Sequence, residues 1–339
     1  LTERSRRWAL GACVGAPLVA AAALSGRART ALVGARGLTD SWAAPGGFPK
    51  TLRGPAGDER ALPAPPRRIV STYLGADEVL AGLVAPERVV GVSAYVDDPA
   101  TSNCYDAYPA GVRRVRADPE TIVSLAPDLV CVAGYTASDA LRLIIGTGLP
   151  VVRWSRFDSF ADVLTEIRLL GAAVGEESRA EVLAGGVEAL LADLERRLAG
   201  VRRMRVLYYD PPTYTMGRGT LLGEILHRAG AANVAEELGM IGPGQIGLET
   251  VLALEPEAII TPNYAGNTPT LRALGGDAIW RQVPAVRAGR VHEIPGAWIS
   301  TVSHHAAQGL ARVARVLHPE AFPGRSRAEP GSAAILKEQ

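Results

Sequence analysis

The chain has 339 residues, 47% of them hydrophobic and 21% charged, enough apolar content to bury one large core or two medium ones. Its 36 basic and 35 acidic residues are interspersed and leave a formal net charge of +1. That balance provides neither a basic face for nucleic acid nor an acidic tail, so polyanionic partners are excluded.

At the N-terminus Arg4, Arg6 and Arg7 precede the apolar run Trp8 to Leu24, the form of an export signal or an N-terminal anchor spanning 1–35. The protein is therefore expected in a periplasm or at the outer face of the cytoplasmic membrane. Ser5-Arg6-Arg7-Trp8-Ala9-Leu10 is similar to a twin-arginine signal, and Leu10-Gly11-Ala12-Cys13 is similar to a lipoprotein box that would put a lipid anchor on Cys13. Residues 36–66, rich in Gly, Pro and Arg, read as an N-terminal arm or hairpin. Behind the leader only Cys104 and Cys131 remain, too few for a disulfide framework. Cys104 falls in a loop and Cys131 in a strand, which favours two separate thiols and leaves a single bridge open.

From Arg68 the pattern alternates. Ile69 to Thr72 reads as a buried strand, Ala76 to Leu83 as a helix, Val89 to Val92 as a strand, Leu129 to Ala133 as a strand, Ala137 to Ile145 as a helix and Val151-Val152 as a strand. Phe160, Val163, Leu164, Ile167 and Leu170 form one helical stripe; Leu183, Val187, Leu190, Leu194 and Leu198 form another. The second predicts the longest helix, about Glu176 to Gly200. At about 36 Å it is long enough to connect two lobes. Strands at Arg205–Tyr209, Ala258–Thr261 and Val291–Ile294 then alternate with helices at Leu221–Ala229, Thr270–Leu274 and Ser300–Leu317. The fold class is α/β, with two Rossmann-like lobes of mainly parallel sheet joined by one long backbone helix. The divisions are an N-terminal lobe at 67–158, a helical connector at 159–201, a C-terminal lobe at 202–322 and a disordered tail at 323–339.

One internal repeat supports two halves. Asp118-Pro119-Glu120-Thr121-Ile122-Val123-Ser124-Leu125-Ala126-Pro127-Asp128 returns without a gap as Gly247-Leu248-Glu249-Thr250-Val251-Leu252-Ala253-Leu254-Glu255-Pro256-Glu257. Each copy is a short helix stopped by proline before a strand. Glu120 and Glu249 occupy the first turn, beside the positive end of the helix dipole.

Catalytic readings find little support. The five histidines form no zinc spacing, and none precedes His227. There is no Gly-x-Ser-x-Gly elbow and no phosphate-binding lysine loop. Gly217-Arg218-Gly219-Thr220 reads as a strand-to-helix turn whose amides could meet an anion. No catalytic residue, metal site or intrinsic cofactor is expected. Aromatic residues instead cluster just after strands, where an open α/β sheet holds ligands: Tyr73, Tyr95, Tyr105 and Tyr135 in the first half, and Tyr209, Tyr214, Tyr264 and Trp298 in the second. Such rings suit a bulky, partly apolar ligand.

From Arg67 to Phe322 the chain resembles a class III periplasmic substrate-binding protein of an ABC importer, of the ferric-siderophore, haem and vitamin B12 group. The resemblance rests on Pro66-Arg67-Arg68-Ile69-Val70-Ser71, Val89-Val90-Gly91-Val92-Ser93, the repeat, Ala229-Gly230-Ala231-Ala232-Asn233-Val234 and His318-Pro319-Glu320-Ala321-Phe322. It implies a non-enzymatic, monomeric receptor holding a metal chelate in an inter-lobe cleft, whether cobalamin, ferric siderophore or haem. It implies delivery to a membrane permease and its ATPase, with Glu120 and Glu249 contacting the permease. Tyr73, Tyr95, Tyr135, Tyr214, Arg218, Tyr264, Trp298 and His304 become the ligand-binding candidates, with Arg153 and Arg156 as further candidates for an anionic siderophore. The rivals are a two-lobed α/β enzyme such as a nucleotide-sugar transferase, and a sensor domain that binds without import.

Overall fold

The computed structural model describes residues 38–264, 274 and 276–323. The expected leader with Cys13, the helix Thr270–Leu274 apart from Leu274, and the tail after Pro323 lie outside the described residues.

The chain divides into two compact units. One comprises the chain up to Arg156 with Leu169–Glu177, the other Phe157–Arg168 with the chain from Ser178 onward. The segment 159–201 is two helices, Phe160–Val174 and Glu177–Arg197, and its residues are shared between the units. The second helix, at 21 residues, is the longest among the described residues.

The first unit is built on five parallel strands: β4 (Ile69–Ser71), β5 (Val89–Ser93), β6 (Arg113–Val115), β7 (Leu129–Ala133) and β8 (Val151–Trp154), in the order β6-β5-β4-β7-β8. β4 and β7 are buried throughout, and β7 reads as a continuous apolar run, because helices cover both faces of such a sheet. Val70, Val130, Val132, Ile122, Leu141 and Ile144 pack together on one side. The N-terminal arm is a separate antiparallel sheet of β1 (Trp42–Ala43), β2 (Lys50–Arg53) and β3 (Glu59–Leu62). Lys50, buried with its ammonium 4.8 Å from the centre of the Phe48 ring, anchors it by donating to Ala172 O (2.8 Å) and pairing with Glu177.

In the second unit β9 (Met204–Tyr208), β11 (Ala231–Asn233), β13 (Ala258–Asn263) and β14 (Val291–Pro295) form a parallel sheet ordered β11-β9-β13-β14. A two-stranded antiparallel ribbon pairs β10 (Tyr214–Met216) with β12 (Pro243–Gln245). Leu207, Ile259, Val251, Leu254 and Trp280 share its core.

The two repeat helices are Pro119–Ser124 and Leu248–Leu254. Asp118 caps the first, its side chain accepting from Thr121 N at 2.9 Å; Gly247, its counterpart, makes no side-chain cap. One expectation is corrected. The last helix does not run from Ser300 to Leu317 but is a short helix, Gly296–Ile299, then a loop, then Ala306–Leu317. Ser303 and Thr301 form the loop's own bonds: Thr301 Oγ1 donates to Ser303 Oγ at 3.0 Å and accepts from Ser303 N at 3.1 Å. Hydroxyls of this kind compete with helical backbone bonding.

Candidate functional site

Both parallel sheets reverse strand order at their centres, in the first unit between β4 and β7 and in the second between β9 and β13. Ligands of open α/β sheets bind outside the carboxyl ends of strands at such points.

In the first unit Tyr95 follows β5 and Tyr135 follows β7, and both rings are exposed, at 39% and 42%. Tyr73, which directly precedes the helix Leu74–Leu83, is 2% exposed and belongs to the core. Behind Tyr95 lies a buried polar network. Asp77 Oδ2 accepts from Ser93 N at 3.1 Å, Tyr108 Oη donates to Asp77 O at 2.6 Å, and Glu78 Oε1 accepts from both nitrogens of Asn103 at 2.9 Å. These bonds fasten the loop between β5 and β6, which carries Tyr95 and Tyr105, to Asp77 and Glu78 of the helix Leu74–Leu83. Burial pushes the Asp77 carboxyl up to about 7, against the lowering effect of Ser93, whose backbone N–H it accepts, and of the neighbouring Ser71. No disulfide joins Cys104 and Cys131; both are buried thiols, and burial pushes Cys104 upward.

At the outer edge of the same sheet, Arg153 and Arg156 approach Asp40 at 3.4 Å each, and Ser155 Oγ donates to Asp40 at 2.6 Å. The carbon frame allows this only because residue 134 is glycine: a Cβ there would lie 2.1 Å from the Ser155 Cβ.

In the second unit Asp210 follows β9 and Tyr264 follows β13. Tyr264 Oη lies 3.4 Å from Asp210 Oδ2 and 3.0 Å from Ser300 Oγ. Burial pushes Asp210 up to about 6, partly opposed by the Tyr264 hydrogen bond, and pushes the Tyr264 phenol upward as well. Backbone bonds between Asp210 and Tyr214, at 2.8 and 2.9 Å, bring half-buried Tyr214 to the same corner. Trp298 is half-buried on the helix Gly296–Ile299. Its backbone is held so closely by the following helix that a Cβ on Gly309 would meet Trp298 O at 2.4 Å.

Two candidates stand apart. Arg218 is exposed and only loosely paired with Glu236, at 3.9 Å. His304 is buried against His305, ring centroids 4.0 Å apart, and burial holds its imidazole well below its ordinary range. Glu120 and Glu249 are exposed in the first turns of their helices. Sequence reasoning missed Asp210, Ser300 and Asp40; an acidic residue closing Tyr208-Tyr209-Asp210 at a strand end was the one available signal. Among the described residues no group of three or more His, Cys, Asp or Glu is placed to hold a metal ion, and no helix is long and apolar enough to cross a membrane. The two edges offer exposed rings for stacking and carboxylate and hydroxyl oxygens for hydrogen-bond donors.

The chain is similar to known proteins along most of its length. It is 26% identical over 290 residues to the uncharacterized ABC transporter substrate-binding lipoprotein YvrC of Bacillus subtilis, covering 81% of this chain and 87% of that one. It is 23% identical over 283 residues to a cobalamin-binding protein of Halobacterium salinarum, covering 80% and 74% respectively. Among solved structures, the molybdate-bound periplasmic binding protein MolA of Haemophilus influenzae superposes with a TM-score of 0.68 at 22% identity, over 78% of this chain and 90% of that one. The family model described as periplasmic binding protein matches residues 69–297, well over half of the chain and both of its parallel sheets, and the chain belongs to that family.

Proposed function

We propose that this is the exported, non-enzymatic substrate-binding protein of an ABC importer, and that it captures a bulky metal chelate of the corrinoid class for delivery to a membrane permease and its ATPase. The observation that carries the ligand class is the pair of exposed rings, Tyr95 and Tyr135, on either side of the central strand β4. Flat rings at a sheet's carboxyl edge suit a wide, partly apolar ligand, and the second unit sets oxygen atoms of Asp210, Tyr264 and Ser300 at the carboxyl edge of its own sheet. The Halobacterium relative, a cobalamin-binding protein, supports the same class. Tyr214 and Trp298 add further ring surface. Tyr73 and His304 are assigned to packing. Glu120 and Glu249 would present one carboxylate from each unit to basic residues of the permease.

A visible-range titration of the purified full chain with cyanocobalamin, haem and a ferric siderophore tests the reading. Micromolar or tighter binding of cyanocobalamin is expected. Preference for either iron complex replaces the corrinoid assignment, and binding of none of the three sinks the ligand assignment altogether.

A further inference from the structure

Arg153 is buried at the end of β8, its side chain only 4% exposed, and its Nε has no hydrogen-bond partner among the described residues. The carboxylate beside it comes from far away in sequence. Asp40 approaches Arg153 Nη1 and Arg156 Nε at 3.4 Å and accepts from Ser155 Oγ at 2.6 Å. Its position is fixed by Ser41, which runs along the outer edge of β8: Ser41 N donates to Arg153 O (3.0 Å), Ser41 Oγ donates to Val151 O (3.1 Å) and accepts from Arg153 N (2.9 Å). Gly134 packs against Ser155, and a Cβ on it would lie 3.3 Å from Arg153 Nη2. The next residue is Tyr135, so the cluster adjoins an exposed ring proposed above to stack on the ligand.

Two guanidinium groups and a hydroxyl converging on one carboxylate make a site for an oxyanion, and the chain fills it with its own side chain. We propose that Asp40 is an internal counter-anion that sets the charge preference of the ligand site. With Asp40 in place the first unit offers its edge to uncharged, amide-bearing ligands; without it, Arg153, Ser155 and Arg156 would accept an oxyanion or a carboxylate. The inference rests on the reading that ligand meets the carboxyl edge of this sheet, and it adds that anionic chelates and simple oxyanions are discriminated against.

The experiment compares the wild-type full chain with Asp40→Asn and with Asp40→Asn/Arg156→Gln. Each is titrated with molybdate and with a ferric tris-catecholate complex as anionic probes, and with cyanocobalamin as the uncharged one. Asp40→Asn should bind the anions at least about tenfold tighter than wild type, and the double variant should lose most of that gain. Cyanocobalamin, which carries no net charge, should show no such gain in Asp40→Asn. Equal anion affinity in wild type and Asp40→Asn overturns the proposal. If removing the charge weakens the fold, Asp40→Ser provides the second reading: rescue of its melting temperature by molybdate supports the anion site, and absence of rescue rejects it. A gain of molybdate binding without any cyanocobalamin binding would retain the counter-anion and reject the corrinoid assignment, so the two readings fail separately.

Discussion

Ala126 and Glu255 both adopt φ 45°, both precede a proline, and both occupy the same position in the two copies of the internal repeat. Each is held by an arginine at the start of its unit's first parallel strand. Arg68 Nε donates to Ala126 O at 2.9 Å and its Nη2 to Leu125 O at 2.6 Å; Arg205 Nη1 donates to Glu255 O at 3.3 Å. The residue after the proline completes the latch in both. The carboxylates of Asp128 and Glu257 accept from the backbone N–H of Arg68 and Arg205, and their own N–H groups donate to the carbonyls of those arginines. The latch ties the repeat helix to the β4–β7 pair in one unit and to the β9–β13 pair in the other.

A left-handed residue with a Cβ costs about 1–2 kcal/mol, so Ala126→Gly and Glu255→Gly should each stabilise the fold by up to about 1 kcal/mol, after the loss from glycine's unfolded-state entropy. Arg68→Ala should destabilise by about 1 kcal/mol, because its bonds are to carbonyls at an exposed site. Thermal melts of the three variants check this. A lower melting temperature for Ala126→Gly would show that the turn carries no such strain.

The two kinds of tyrosine should separate cleanly. Tyr95→Ala and Tyr135→Ala, at exposed rings, should leave the melting temperature nearly unchanged and weaken cyanocobalamin binding by about tenfold or more. Tyr73→Ala, in the core, should cost about 3–5 kcal/mol of stability. Paired melts and titrations decide the matter, and a Tyr135→Ala protein that binds like wild type would remove that ring from the site.

Asp77 makes folding sensitive to pH. Its folded-state carboxyl is raised above its unfolded value of 3.8 to about 7. Its favourable contribution is therefore fully present below the unfolded value and is lost as pH rises through about 7. Stability should fall by about 1–4 kcal/mol between pH 4 and pH 8 from this group. Asp77→Asn should flatten that slope, read as denaturant midpoint against pH.

Asp210 carries the corresponding prediction for binding. Burial raises it to about 6, so a ligand that donates to its carboxylate should bind more tightly as pH rises through about 6. Tyr264 donates to the ionised form and thereby lowers the value. Tyr264→Phe should shift the midpoint of the binding profile to higher pH, and Asp210→Asn should abolish it. A wild-type profile that is flat from pH 5 to pH 8 would place Asp210 outside the contact.

Charge reversal tests the docking role. Glu120→Arg and Glu249→Arg leave the described cores untouched and should preserve ligand affinity while lowering uptake by a reconstituted importer by about tenfold. Loss of affinity in solution would assign these residues to the receptor itself.

Much of this protein was legible before folding. The alternation of apolar strands and periodic helices, the gapless repeat and the long stripe from Leu183 to Leu198 specify an α/β chain in two halves, because side-chain period and proline placement are local properties. Short polar strands were not legible: Arg113–Val115 and Pro243–Gln245 lack the apolar alternation that marks a strand and exist only because a neighbour supplies hydrogen-bond partners. The aromatic positions after strands were visible in sequence. Which of them face solvent was decided by packing, since Tyr73 and Tyr95 follow their strands alike and only the latter is exposed. Pairings such as Asp40 with Arg153, or Asp210 with Tyr264, join residues far apart in the chain. No local pattern encodes them, because the free energy that brings them together comes from the burial of the sheets to which they are attached.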